Sequence, residues 1–170
     1  FADQAGSLKL VADLQSMENM HRDAIKNYES WLRFTGENDA DVYLRIANAY
    51  YQLQDYQKVL VPIDNAIRYA REPNKQHYML KMGALYESKN YPKTVETVET
   101  MVQLFPEERQ FWVYLGNFYT LVENYEKSLS ALQIAYNNGY LESESELKLI
   151  GQMYANNNIP YKAATLYEKY

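Results

Sequence analysis

WVYLGNFYTLVENYEKSLSALQIA, residues 112–135, joins two amphipathic helical patterns through one short polar turn. Trp112, Leu115 and Tyr119 stand at i, i+3 and i+7 and so share one face of a first helix, with Gly116 beside Leu115. Glu123-Asn124 makes the turn. Tyr125, Ser128, Leu129, Leu132 and Ala135 then recur at three- and four-residue steps along one face of a second helix. Small residues face large ones across the seam: Gly116 and Ser128 let the backbones approach, while Trp112, Tyr119 and Leu132 fill the space.

The pattern returns along the whole chain. The small place in the first helix reads Ala12, Ala47, Gly83, Gly116 and Gly151, at intervals of 35, 36, 33 and 35 residues. The small place in the second reads Ala24, Val59, Thr94, Ser128 and Ala164, at intervals of 35, 35, 34 and 36, with Ala163 competing for the last position. Two independent series on one period describe a repeat array, in which each hairpin contacts its neighbours and no single central core is needed. The order of Trp, Leu-Gly, Tyr, small residue, aliphatic and Ala resembles the tetratricopeptide repeat, a helical hairpin of about 34 residues. The resemblance implies an all-α solenoid of stacked antiparallel hairpins wound as a right-handed superhelix, its first helices lining a concave face. The expected hairpins cover about 5–34, 40–70, 75–104, 109–137 and 144–170, as one array over 1–170.

Composition narrows the function. A formal net charge of −5, with Lys and Arg scattered among 170 residues, argues against a nucleic-acid footprint or an anionic-membrane patch. No apolar run approaches the roughly 18 residues that span a bilayer. Cysteine is absent, which removes disulfides and thiolate metal sites. The chain starts at Phe1 with no initiator Met or signal peptide and stops at Tyr170 inside a second helix, so it is expected to be an excerpt of a longer protein whose exposed ends can self-associate.

Local signals mark the joints. In TGENDAD, residues 35–41, Gly36 is expected to end a helix in a left-handed conformation and Asn38 or Asp39 to cap the next, a reading favoured over calcium binding. Trp31 stands where the family has a small Ala and reads as core rather than a ligand-stacking platform. Pro62 falls inside a second helix and predicts a kink or locally open turn. Pro92 and Pro160 open second helices, and Asn137-Asn138-Gly139 ends one. Ser143 to Glu146 reads as a capping box, with Glu142, Glu144 and Glu146 favoured at a helix N-terminus.

Catalytic signatures are missing. His21 and His77 are the two histidines, neither within HExxH, and His21 falls where other hairpins carry Tyr56, Tyr91 and Tyr125. There is no GxSxG, Walker loop or GxGxxG. The chain is therefore expected to be no enzyme and to need no cofactor or metal. Binding is the alternative: if the hairpins stack as in the family, first-helix residues not used for packing point into the concave face. These are Arg45, Asn48, Tyr51 and Gln52, then His77, Lys81 and Glu87, then Gln110, Tyr114, Asn117 and Leu121, with Lys148 and Gln152 extending the row. Asn can pair with a peptide backbone, Arg45 and Lys81 can meet a carboxylate, and Tyr51 and Tyr114 offer rigid contact area. Some family members grip a C-terminal carboxylate through Lys, Asn and Arg on these helices. Here Lys9 and Lys81 hold two of those places, but Asp13 and Arg45 replace two expected Asn residues, which sets that mode aside.

A narrower resemblance runs through LKLVADLQ, VYLRIANAYYQL, MVQLFPEE, LGNFY and NNNIPYKAATLYEK, which look like repeat proteins accompanying TonB-type energy-transduction systems of marine gammaproteobacteria. It implies a periplasmic accessory of outer-membrane uptake of iron chelates, binding a protein or peptide partner such as a component of the TonB system. The other class that fits is a cytoplasmic adaptor, peptide receptor or co-chaperone.

Overall fold

The computed structural model describes residues 2–141 together with 148, 151 and 152. Eight α-helices are placed among them: α1 (Ala2–Met17), α2 (His21–Thr35), α3 (Ala40–Gln52), α4 (Tyr56–Tyr69), α5 (Lys75–Glu87), α6 (Tyr91–Leu104), α7 (Arg109–Leu121) and α8 (Tyr125–Asn137). No strand occurs among the described residues. The chain forms two compact units, Phe1–Asn90 and Tyr91–Tyr170, so the helices of the expected third hairpin belong to different units.

One turn is used four times. Asn19, Gln54, Lys89 and Glu123 all adopt positive φ, between 59° and 61°, each two residues before a second helix begins. Around Gln54 the amide of Gln54 donates to the Tyr51 carbonyl at 2.9 Å and that of Asp55 to the Tyr50 carbonyl at 3.0 Å. The same pair of bonds recurs around the other three, and together they satisfy carbonyls that the end of a helix would leave bare. Between hairpins the expected residues take over. Gly36 ends α2 at φ 68° with its amide on the Leu32 carbonyl, and the Asp39 carboxylate caps α3 by accepting from the amides of Asp41 and Val42.

In the first unit, Ala12 and Ala24 are fully buried where α1 meets α2, and the core continues through Tyr28 and Trp31 to Val42, Ile46 and Ala49 of α3. Trp31 is core, as its spacing predicts, with the Lys9 ammonium 5.2 Å from its ring centroid. A second cluster, Ala47, Val59, Ile63, Ala66 and Ala84, joins α3, α4 and α5. Fully burying a side chain such as Ile63 contributes roughly 1.5–3 kcal/mol, so these seams hold the hairpins together without one common centre. Helix α4 continues from Tyr56 to Tyr69 with Pro62 buried in its interior; the pyrrolidine nitrogen still cannot donate to the Lys58 carbonyl.

In the second unit, α7 packs on both α6 and α8. Gly116 is buried, and a Cβ there would come within 2.6 Å of Leu132 Cγ and Cδ2. Ser128 uses its small size and its hydroxyl: it donates to the Gly116 carbonyl at 2.6 Å, and Thr120 Oγ1 reaches the same carbonyl at 3.0 Å. Trp112 Nε1 donates to the Pro106 carbonyl at 2.8 Å, tying α7 to the loop before it. The readings of Glu142 to Glu146, of Pro160 and of Ala163 or Ala164 lie outside the described residues.

Candidate partner-binding faces

Helical geometry sets the candidate stripes. On α7, Gln110, Tyr114, Asn117 and Leu121 are separated by four, three and four residues, which confines them to about 60° of arc at 100° per residue. Asp41, Arg45, Asn48 and Gln52 occupy the same arc of α3, and His77 and Lys81 begin it on α5.

The α3 face is bound up in its own unit. Arg45 donates to Asp13 of α1 and to Asp41 one turn earlier, both at 2.9 Å. Asp13 also accepts from the buried hydroxyl of Tyr28. Hydrogen bonding to Asp41 raises the Arg45 pKa further, and burial followed by the Asp13 contact raises that of Tyr28. Arg45 therefore ties the first hairpin to the second, instead of extending to meet a carboxylate from outside. Tyr51 departs from expectation too: its hydroxyl covers Gly83, where a Cβ would lie 3.3 Å away, and its ring meets Tyr56 edge-on at 5.1 Å. Burial and then the Glu87 charge raise its pKa. Asn48 and Gln52 remain exposed on this face.

His77 is the clearest correction. It is 4% exposed, and its Nδ1 has no hydrogen-bond partner, so the first turn of α5 does not present it to a ligand. Burial lowers its pKa, with Asp41 pulling weakly the other way. Lys81 is half-buried and pairs with Asp64 of α4 at 2.8 Å, while Lys9 lies 3.8 Å from Asp39. Each cation at a carboxylate-gripping place thus already has a carboxylate neighbour, a physical reason against that mode beyond the replaced Asn residues.

The α7 face is different. Tyr114 is half-buried because its ring lies between Phe111 and Phe118 of its own helix, with centroids 6.4 and 6.3 Å away. Phe105 meets Phe111 edge-on at 6.1 Å and anchors the base of this aromatic ladder. Gln110, Asn117 and Leu121 are exposed beside it. Phe111 and Phe118 did not enter the expected site, although their places three residues before and four after Tyr114 carry the signal. Tyr119, on the packed side, donates to Glu99 of α6 at 2.8 Å, and burial followed by that bond raises its pKa. Lys148 and Gln152 are exposed. No described helix is long and apolar enough to cross a membrane.

No family model matches the sequence, and no curated protein matches it. Solved structures do match. A MamA fragment from Desulfovibrio magneticus RS-1, residue 41 to the end, is similar at a TM-score of 0.69 and 22% identity, over 98% of this chain and 93% of that one. YrrB, a TPR protein with an unusual peptide-binding site, is similar at 0.68 and 18% identity, over 95% and 82%. The C-terminal part of a TPR repeat-containing protein from Cytophaga hutchinsonii is similar at 0.64 and 16% identity, over 94% and 62%. The fold is therefore the all-α helical repeat found in tetratricopeptide-repeat proteins.

Proposed function

We propose that this chain is a non-catalytic scaffold that holds an extended segment of a partner protein along the outward face of α7. The observation that carries the reading is the stripe of Gln110, Tyr114, Asn117 and Leu121, where exposed polar and apolar groups flank a half-buried aromatic ring that has the Phe111 and Phe118 rings as neighbours at 6.4 and 6.3 Å. A held ring loses little rotamer freedom on binding, and a primary amide such as Asn117 can donate to and accept from one peptide unit. Leu121 adds an apolar contact at the end of the stripe. In the first unit Arg45, Tyr51 and Lys81 are engaged by neighbouring side chains or backbone of that unit, so the reading rests on α7 alone. The peptide-binding site named for YrrB supports the same use of this fold.

The resemblance to proteins accompanying TonB-type systems adds location and partner: a periplasmic accessory of TonB-dependent uptake, engaging a protein component of that system. Sequencing the native N-terminus tests the compartment, with a secretory leader expected and a plain start favouring a cytoplasmic adaptor. The binding reading is tested by recovering the partner from periplasmic extract and titrating it against Asn117→Ala and Leu121→Ala, with helical content checked in each. Weaker binding by both folded variants is expected. Parent-like affinity in both would move the contact off α7.

A further inference from the structure

Five places after the small residue of the second helix, the first three hairpins carry a carboxylate: Glu29, Asp64 and Glu99. Two of these are engaged. Asp64 meets Lys81 of α5 at 2.8 Å, and Glu99 accepts from the Tyr119 hydroxyl of α7 at 2.8 Å. Glu29 is half-buried and has neither a hydrogen-bond nor an ion-pair partner among the described residues, although Tyr50 holds the place in α3 that Tyr119 holds in α7. Its charge still reaches that side chain: burial and then Glu29 raise the Tyr50 pKa, with Lys58 and Arg22 pulling the other way. A second acceptor lies on α4. Pro62 stands at the place of Ala131 in α8 and has no amide, so the Lys58 carbonyl lacks the helical donor that its counterpart in Lys127 is given.

Both residues border one cavity. Helices α2 and α4 pack on α3, and the space between them, about 390 Å³, is lined by Glu29 and Lys58 and is as large as many ligand sites. Leu32, Ile46 and Pro62 make it apolar, Tyr43 and Tyr50 add two rings, and Val61 beside it is 72% exposed. Its three helices lie between α1 and α5 in the chain, so the opening is not one left by an end of the sequence. Lys58 already has Asp55 at 3.4 Å and lies 6.0 Å from the Tyr50 ring centroid, which leaves Glu29 as the uncompensated charge of the lining. A complementary occupant brings an apolar body, a positive charge and more than one donor. Arginine has all three: its stem covers apolar surface, its guanidinium carries five N–H donors in a planar fork, and that plane stacks on aromatic rings.

We propose that the space between α2 and α4 holds an arginine side chain from an extended segment of a partner protein, its guanidinium on Glu29 and the Lys58 carbonyl and an adjacent apolar residue on Val61. The site lies in the first unit and is separate from the stripe on α7. The probe is a blocked peptide with one arginine between two leucines, compared with the same peptide carrying citrulline, which keeps the shape without the charge. Titrated into isotope-labelled protein, the arginine peptide should shift amide resonances of α2 and α4 and bind about tenfold or more tighter than the citrulline peptide. Glu29→Gln should remove that preference. Pro62→Ala returns a donor to the Lys58 carbonyl and should weaken the arginine peptide a few-fold with its helices intact. Shifts confined to α7, equal affinity for the two peptides, or parent-like binding of the arginine peptide by both folded variants would overturn the proposal.

Discussion

Helices α3 and α7 occupy the same place in their repeats, and their outward residues meet opposite ends. Arg45 and Tyr114 each stand two residues before the small place, Asn48 and Asn117 one residue after it. Arg45 is held by carboxylates on two helices, whereas Tyr114 is held from behind by rings of its own helix. The repeat determines where a side chain points, but the chemistry of its neighbours determines whether it stays available. An Asp within reach converts an outward Arg into a tie between hairpins; a Phe one turn away converts an outward Tyr into a rigid platform.

The two units can be set against each other at their glycines. Gly116→Leu drives a side chain into Leu132, whose nearest atoms already lie 2.6 Å from a Cβ position, and should cost on the order of 1–3 kcal/mol or more from overpacking. Gly83→Ala meets only the end of Tyr51 at 3.3 Å, and the gain in helix propensity of about 1 kcal/mol offsets part of that contact. Urea melts should place the second variant within about 1 kcal/mol of the parent; an unperturbed Gly116→Leu would contradict the close packing of α7 on α8 at Leu132.

Acid should act on the first unit through His77. Its folded pKa lies below the ordinary 6.5, so the unfolded chain takes the proton first. The stability its neutral form contributes is complete above 6.5 and is lost as pH falls from there through the folded value. His77→Gln should remove this limb from the pH dependence of the melting temperature while leaving the later titration of carboxylates. Superimposable parent and variant profiles would mean that burial at His77 does not reach the folding equilibrium.

The smallest effect expected is at the shared turn. Replacing Gln54 or Glu123 by Gly relieves a left-handed strain of about 1–2 kcal/mol, against a conformational-entropy cost of roughly 0.5–1 kcal/mol for Gly. A net stabilisation of a few tenths to about 1 kcal/mol should appear at both positions. Destabilisation at either would show that its side chain holds the turn by some contact of its own.

These turns also show the limits of what the residues display. The small places were legible because close helix packing tolerates few residue types and returns on a fixed period; Ala24, Val59, Thr94 and Ser128 are all fully buried. The recurring left-handed residues were not, because Asn19, Gln54, Lys89 and Glu123 share no composition and are positioned by the helices on either side. Gly36 was legible because it is the residue that adopts this conformation without strain. Arg45 looked available since its anchor Asp13 lies 32 residues away on another helix. His77 has the spacing of an outward residue, and only the packing of neighbouring helices buries it. The ladder under Tyr114 was open to the same periodic reading that found the seam, applied to the opposite face.

The contrast between α3 and α7 is tested most directly by measuring thermal stability and partner affinity side by side on Arg45→Ala and Tyr114→Ala. Arg45 is half-exposed, so its ion pairs are screened: removing it should lower stability by at most about 1 kcal/mol, less at high salt, and leave affinity unchanged. Tyr114→Ala should weaken partner binding by about 2 kcal/mol, roughly thirtyfold, while the helices remain formed. Loss of affinity in Arg45→Ala together with parent-like binding by Tyr114→Ala would contradict the account.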